Sequence, residues 1–114
     1  MFERNRKKGS LEALQFVRYL NNQEYQPHFD FSNVAEDKMR FSTLLLYLQN
    51  ADSGGGTSFP LANDGHGIQV LPPPGSGVMF YSQGPDGNGD LKSLHSGMQV
   101  TKGTKLLCNL WAWS

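Results

Sequence analysis

This sequence of 114 residues has one cysteine, no net charge and no long apolar run. The single cysteine, Cys108, excludes an intrachain disulfide and the cysteine-rich sites that hold zinc or iron–sulfur clusters. Basic and acidic residues are equal in number, so no overall field would draw the chain onto nucleic acid. The longest apolar run, Leu44 to Leu48, is far shorter than a membrane span. We expect neither nucleic acid nor a membrane among the partners of this chain.

The sequence also lacks signals for a compartment. Residues 1–10 contain no apolar segment of the secretory type, and no asparagine has a hydroxyl residue two places on. The start of the chain is instead basic, and we interpret residues 1–12 as a solvated lead-in that carries Arg4, Arg6, Lys7 and Lys8. These features leave the compartment and the oligomeric state open.

Glycine and proline, by contrast, are plentiful, with 13 and 6 residues. They separate short apolar segments, a pattern typical of an antiparallel β-sandwich or barrel rather than of alternating strands and helices. The apolar positions at 11–20 fit either a helix or a strand, and we favour a strand. Residues 13–114 are therefore predicted to form one all-β domain, with strands at 14–20, 24–30, 41–49, 67–71, 77–82, 94–100 and 104–112.

A candidate metal site begins with the imidazole and the carboxylate of His28-Phe29-Asp30. If this segment is a strand, its period of two directs both side chains to the same face. A non-haem Fe(II) oxygenase needs two histidines and one carboxylate on one face of the metal. His66, in a glycine-rich loop, and His95, at the head of a predicted strand, are the remaining histidines. We favour His95 as the third ligand.

Lys105 follows His95 by ten residues and is a candidate anchor for an anion. We predict a hairpin in which strand 94–100 turns at Lys102-Gly103, so that Lys105 opens the return strand opposite about residue 100. The gap along the sheet is then on the order of 15 Å, which suits a short dicarboxylic acid bridging a metal and an ammonium group. The same face of the return strand would carry Leu107, Asn109, Trp111 and Trp113.

Several segments in the same order and spacing resemble the prolyl 4-hydroxylase branch of the Fe(II)/2-oxoglutarate-dependent dioxygenases. The resemblance covers about residues 13–113 and includes the ten-residue step from His95 to Lys105. It implies a jelly roll, also called a double-stranded β-helix. The segments that carry it are YLNNQEYQPHFD at 19–30, RFSTLLLYL at 40–48, GGTSFP at 55–60, GVMFY at 77–81, LHSG at 94–97, KGTK at 102–105 and NLW at 109–111.

The resemblance assigns roles to ten residues of this chain. It implies that His28, Asp30 and His95 are the iron ligands, and that Lys105 holds the distal carboxylate of 2-oxoglutarate. Three further hydroxyl residues match positions that line the cosubstrate pocket, and they are Tyr19, Tyr47 and Thr57. Three more match positions near the bound peptide, where aromatic faces and an arginine can grip a proline-rich chain, and they are Tyr25, Arg40 and Trp111.

The activity that the resemblance implies is hydroxylation of prolyl residues in a peptide or protein, as in procollagen-proline 4-dioxygenases. The reaction would require Fe(II), would consume O2 and 2-oxoglutarate, and would release succinate and CO2. Ascorbate would be a further cofactor. Two alternatives stay open at this point. One is a 2-oxoglutarate hydroxylase of small molecules, and the other is a non-catalytic jelly-roll module that binds without turnover.

Family members usually carry helices and strands ahead of the matched region. This chain begins almost at the first core strand, a feature expected of a fragment or of an incomplete gene model, and one face of its sheet would then lack its cover. A fragment would also leave room for the endoplasmic reticulum as the compartment.

Overall fold

Eleven β-strands make up most of the part of the chain that the computed structural model describes, residues 10–32 and 39–113. Within those ranges two short 3-10 turns, Asp30–Ser32 and Leu91–Ser93, are the only helical elements. No helix there has the length and hydropathy needed to cross a membrane. The strands are β1 (Ser10–Leu11), β2 (Gln15–Tyr19), β3 (Tyr25–His28), β4 (Arg40–Gln49), β5 (Ser53–Gly54), β6 (Thr57–Phe59), β7 (Ile68–Val70), β8 (Ser76–Tyr81), β9 (His95–Gly97), β10 (Val100–Lys102) and β11 (Lys105–Trp113).

The strands form two main antiparallel sheets and one short ribbon. The large sheet has the order β1-β11-β4-β8, and β2 also pairs with β11. The small sheet has the order β3-β9-β6-β7, and the ribbon pairs β10 with β5. Every strand pair is antiparallel, and several neighbours in a sheet are far apart in sequence. The predicted all-β fold is confirmed.

Side chains between the sheets form the core. In β4 the alternation of strand side chains buries Thr43, Leu45 and Tyr47 on the inner face. Phe59 of the small sheet meets Phe80 of the large sheet edge to face, with ring centres 5.0 Å apart. The two sheets therefore face each other across an apolar layer, in the arrangement of a double-stranded β-helix.

The predicted hairpin between 94–100 and 104–112 is wrong. The first of these segments is two strands, β9 and β10, because the backbone at Met98 and Gln99 instead bonds to the glycine loop at 55–56. After β10 the chain bends at Gly103, whose φ of +93° a residue with a Cβ would rarely adopt. This bend moves β11 into the large sheet, where Lys105 pairs with Tyr19 instead of with a residue near 100.

The start of the described region is attached to the end of the large sheet. Ser10 and Leu11 of β1 pair with Trp113 and Ala112, whereas Ser10 and Leu11 were predicted to lie in the lead-in. The four basic residues of that lead-in lie outside the described residues. Seven strands were predicted, and the strands that the prediction left out, β1, β5 and β6, are short and partly glycine-rich.

The outward face of the large sheet is rich in apolar side chains. Residues that face each other across paired strands point to the same side, and register aligns Phe16 with Cys108 and Cys108 with Leu46. Met79 of β8 continues this face beside Leu44, and both Phe16 and Met79 are exposed. Part of this face is therefore exposed in the part of the chain that the structure describes.

Candidate metal centre

The two candidate histidine ligands lie on neighbouring strands of the small sheet. His28 ends β3 and His95 opens β9, and the register pairs them directly. Their ring centres are 4.3 Å apart. Long-range strand pairing therefore brings together two imidazoles that are far apart in the sequence.

Asp30 joins them from the first position of a 3-10 turn. Its Oδ1 lies 3.5 Å from His28 Nε2 and 3.6 Å from His95 Nε2, and the three ligand atoms all lie within 4.8 Å of one another. The prediction that Asp30 continues the strand of His28 is wrong, because β3 ends at His28. The chain turns there, and the turn itself aims the carboxylate at the two imidazoles.

Backbone carbonyls fix the orientation of both imidazoles. His28 Nδ1 donates to the carbonyl of Gln26 at 2.7 Å, and His95 Nδ1 donates to the carbonyl of Ser93 at 2.8 Å. A neutral imidazole that donates through Nδ1 has its lone pair on Nε2. Both Nε2 atoms face Asp30 Oδ1, so each ring presents the nitrogen that can bind a cation.

The second oxygen of Asp30 is held by two hydrogen bonds from the large sheet. Thr43 Oγ1 donates to Oδ2 at 2.6 Å, and Trp111 Nε1 donates to the same oxygen at 3.1 Å. Sequence reasoning missed Thr43, although its position on the inner face of β4 could have indicated it. Oδ2 is thus occupied, and Oδ1 is left for the space between the histidines.

The electrostatics of the three candidate ligands suit a divalent cation. Burial acts to raise the pKa of Asp30, but the hydrogen bond with His28, the charge of His95 and the two donors from the large sheet lower it to about 2. Burial lowers the pKa of His95. For His28 burial also acts to lower the pKa, yet its hydrogen bonds with Asp30 and the Gln26 carbonyl raise the pKa overall. The Asp30 carboxylate is therefore ionised at neutral pH, and burial favours the neutral form of His95.

Lys105 lies in the interior of the same cavity. The residue is 1% exposed, and its Nζ has no hydrogen-bond partner among the described residues. Nζ lies 4.7 Å from the centre of the Tyr19 ring and 5.1 Å from that of Tyr47. Burial lowers the pKa of Lys105 to about 8. A buried ammonium without a partner is costly, so its position favours binding of an anion.

Three hydroxyl residues were expected around the cosubstrate. Tyr19 and Thr57 line the cavity, whereas Tyr47 is fully buried behind its surface. Its hydroxyl connects to the cavity lining through Thr57, with which it shares a hydrogen bond of 2.5 Å between the two hydroxyl oxygens. Burial, and next the nearby Tyr25, raise the pKa of Tyr19 to about 12, so its hydroxyl keeps its proton and can donate.

The cavity has a volume of about 170 Å³ and extends from Lys105 to a wall of aromatic and charged residues. Tyr25 stacks on His28 with ring centres 4.1 Å apart, and the Arg40 guanidinium lies 4.0 Å from the centre of the Trp111 ring. All three residues expected near a peptide thus line the cavity. Sequence reasoning missed Glu12, which binds Arg40 through both carboxylate oxygens.

The residues present fit an iron ion with a keto-acid cosubstrate. Two imidazoles and one carboxylate around a shared space form the ligand set typical of non-haem Fe(II) oxygenases. The unpartnered Lys105 ammonium in the same cavity matches the remote carboxylate of a dicarboxylic acid.

The chain is similar in sequence to known oxygenases. The family model of the 2OG-Fe(II) oxygenase superfamily matches residues 14–113. Prolyl 4-hydroxylase 1 of Arabidopsis thaliana is 38% identical over 113 residues, which cover 88% of this chain and 40% of the relative. The probable prolyl 4-hydroxylase 9 of the same plant is 35% identical, with the same coverage. The chain thus spans about two fifths of the length of these relatives.

Solved structures agree with this relationship. The viral collagen prolyl hydroxylase of Paramecium bursaria Chlorella virus-1, in its 2OG complex, superposes with a TM-score of 0.81 at 27% identity. That match covers 94% of this chain and 61% of the viral chain. A prolyl-4-hydroxylase of Pseudomonas putida superposes with a TM-score of 0.63 at 25% identity, over 86% of this chain and half of that one. The fold, the ligand geometry and the family match together show that this chain belongs to the 2OG-Fe(II) oxygenase superfamily.

Proposed function

We propose that this chain is the catalytic core of a 2-oxoglutarate-dependent dioxygenase that hydroxylates prolyl residues in a peptide or protein. The observation that carries the proposal is a single cavity with three metal-ligand side chains and a buried, unpartnered ammonium. Relatives and structural neighbours named as prolyl hydroxylases support the choice of substrate. Succinate and CO2 are the expected coproducts.

His28, Asp30 and His95 would hold Fe(II). With 2-oxoglutarate and O2, the bound iron supplies the oxidation of a C–H bond to an alcohol. Asp30 would contribute Oδ1, because Thr43 and Trp111 occupy its other oxygen. The two histidines would contribute Nε2, because their Nδ1 atoms donate to backbone carbonyls.

Lys105 would bind the distal carboxylate of 2-oxoglutarate. The ammonium lies in a buried setting where an ion pair is screened little by water, so a carboxylate there gains more than at the surface. Tyr19 and Thr57 line the same cavity and can donate hydroxyl hydrogens to the acid. Tyr47 would act through Thr57, by fixing the direction of its hydroxyl.

Tyr25, Arg40 and Trp111 would bind the substrate. Flat aromatic faces suit the ring of a proline, and a guanidinium can donate to the carbonyl groups of an extended chain. We include ascorbate in the proposal on the family resemblance alone.

The decisive experiment is anaerobic addition of Fe(II) and 2-oxoglutarate to the protein and to His28→Ala. The intact protein should develop a visible charge-transfer band, and the variant should lose it. Absence of the band in the intact protein, or an equal band in the variant, would contradict the ligand assignment.

Turnover separates the proposed function from its alternatives. Succinate formation should depend on a proline-rich peptide and should be accompanied by a mass increase of one oxygen atom in that peptide. Succinate formation driven by small molecules and not by peptides would favour the small-molecule alternative. Binding without any succinate would favour a non-catalytic module.

A further inference from the structure

Glu12 forms a shielded ion pair at the wall of the cavity. Arg40 donates from Nε and Nη2 to the two oxygens of Glu12, at 2.8 and 3.1 Å, and the side chains of Arg40 and Glu12 are only 15% and 27% exposed. Trp113 Nε1 donates to the same carboxylate, and the Glu12 amide donates to the Trp111 carbonyl at 3.0 Å. A two-point contact of this kind fixes the plane of the guanidinium as well as neutralising its charge.

The ion pair changes what Arg40 can recognise. A lone guanidinium in a cavity wall would attract a carboxylate, whereas one that already holds Glu12 has its charge balanced. In the part of the chain that the structure describes, the Nη1 hydrogens and one Nη2 hydrogen of Arg40 have no hydrogen-bond partner, and these donors suit a neutral carbonyl oxygen. A substrate carboxylate at this wall would instead meet the negative charge of Glu12.

Trp111 connects this wall to the metal ligands. The Arg40 guanidinium lies over the Trp111 ring, and the indole Nε1 of the same ring donates to Asp30 Oδ2. Trp111 is six residues along β11 from Lys105, or about 20 Å at the rise of a strand. A group bound to Arg40 is therefore held near Asp30, well away from the Lys105 end.

We propose that Glu12 is a specificity-determining residue, which neutralises Arg40 so that the cavity accepts a backbone carbonyl of an internal proline and rejects a free carboxylate on that residue. This inference rests on the proposed prolyl hydroxylation, and it names the form of the substrate: a proline within a chain instead of a proline with a free acid group.

The test compares two peptides that differ only in their C-terminal charge. Acetyl-Gly-Pro-Pro-Gly-Pro-Pro is prepared as the free acid and as the amide, and neither form contains an aromatic residue. The two tryptophans of the chain both lie beside Arg40, so intrinsic tryptophan fluorescence reports peptide binding without metal or turnover. Hydroxylation of the C-terminal proline is measured in parallel by mass spectrometry.

The protein should bind the amide about tenfold more tightly than the acid, and should show a similar ratio of kcat/KM for hydroxylation. Glu12→Gln, which leaves Arg40 as an unbalanced cation, should bring the two peptides to within about twofold of each other by binding the acid better. Glu12→Asp keeps the charge and should keep the preference for the amide. Asp64→Asn removes one negative charge from an exposed turn and is the matched control.

Each outcome decides the inference. An equal response to acid and amide in the intact protein, no response to either peptide, or an unchanged preference in Glu12→Gln would overturn it. Equal weakening of both peptides in Glu12→Gln would also overturn it, since that result indicates a merely structural role. Failure of the proposed function is distinct: it would appear as the expected binding preferences without hydroxylation of either peptide.

Discussion

At the scale of single residues, the two oxygens of Asp30 have different surroundings. Oδ1 faces the two imidazoles, and Oδ2 accepts hydrogen bonds from Thr43 and Trp111. Groups that orient a metal ligand in this way contribute to metal affinity without touching the metal. The candidate site is therefore built from five side chains, of which three are the proposed metal ligands.

Replacement of Thr43 by valine should weaken metal binding while leaving the fold intact. Valine has nearly the same shape but cannot donate to Asp30, so the carboxylate would lose one of its two orienting bonds. We expect the affinity for Fe(II) or Co(II) to fall about 10- to 100-fold. Anaerobic metal titration followed by absorption spectroscopy measures this change.

Thr43→Ser serves as the conservative comparison, because its hydroxyl can still donate, and it should retain most of the affinity. Equal metal affinity in Thr43→Val and the unaltered protein would show that Trp111 alone orients the carboxylate.

Lys105 should make the free energy of unfolding depend on pH in the alkaline range. Burial lowers its pKa from 10.5 to about 8, so between these values the unfolded chain binds a proton that the folded chain does not. The free energy of unfolding should therefore rise with pH across that window, by about 3 kcal/mol in full, and the unfavourable buried charge should persist below about pH 8.

Urea denaturation at a series of pH values measures this effect as the difference between the protein and Lys105→Met. Methionine fills a similar volume without a charge, so the variant should be the more stable one at pH 7, and its advantage should shrink above about pH 8. A constant difference across the series would argue against a buried ammonium. The raised pKa of Tyr19 acts in both proteins and is removed by the subtraction.

At the scale of elements, the turn that supplies Asp30 depends on a glycine far along the chain. The Phe31 ring lies directly against Gly89, where an added Cβ would come within 2.4 Å of the ring. Phe29 also contacts Phe31, with ring centres 4.8 Å apart. The loop around Gly89 thus supports the turn Asp30–Ser32 from outside.

Gly89→Ala should displace the Phe31 ring and disturb the carboxylate beside it. We expect a loss of about 1–3 kcal/mol in the free energy of unfolding and weaker metal binding, as is typical of an overpacked contact. Chemical denaturation and metal titration measure the two effects.

Gly65→Ala is the comparison, because nothing lies within 4 Å of the added Cβ there although φ is +86°. It should lose about 1 kcal/mol of stability from backbone strain and keep its metal affinity. Unchanged metal affinity in Gly89→Ala would show that the Phe31 ring moves without displacing Asp30.

The elements also show how far the sequence could be interpreted. Strands rich in apolar and aromatic residues were predicted to within about a residue, such as 41–49 for Arg40–Gln49 and 77–82 for Ser76–Tyr81. The strands in glycine-rich segments were missed, because β5 and β6 are defined by distant partners rather than by their own side chains. The break between β9 and β10 was missed for the same reason, because it depends on hydrogen bonds to the distant glycine loop at 55–56.

The residues of the site divide in a similar way. The metal and anion candidates could be chosen from sequence because the order and spacing of His28, Asp30, His95 and Lys105 resemble those of the prolyl 4-hydroxylase branch, whereas the pair His28 and Asp30 alone is a weak signal. Glu12 could not be chosen, since its meaning depends on Arg40 and on Trp113, which is 101 positions away. Hydrogen-bond partners of that separation follow from the fold alone.

At the scale of the whole molecule, the exposed apolar face of the large sheet should cause self-association. Phe16 and Met79 are exposed on that face, and large exposed apolar areas promote aggregation. The double variant Phe16→Lys with Met79→Lys should stay monodisperse at concentrations where the unaltered protein associates. Sedimentation velocity at increasing concentration measures this difference.

Leu91→Lys is the matched control, because Leu91 is also exposed but lies in a 3-10 turn instead of on the sheet face. It should leave association unchanged. An unaltered protein that remains monomeric at high concentration would contradict the prediction.

Metal binding should also stabilise the whole fold. The two histidines belong to the small sheet, whereas Asp30 is hydrogen-bonded to β4 and β11 of the large sheet. A metal bound by all three would therefore connect the sheets. At a free metal concentration about 100 times the dissociation constant, linkage predicts about 2.7 kcal/mol of added stability.

Thermal melting with Co(II) and with a chelator measures this effect, and Tm should be higher with the metal. His95→Ala should melt at the same temperature in both conditions. An equal Tm for the unaltered protein with and without metal would show that the ion adds no connection.

A metal ion that connects the two sheets has a consequence in a cell that is short of iron. Molecules without the ion would open more often, and proteases act on chains that open. Iron supply would then set how many copies of the protein survive, in addition to how fast each copy works.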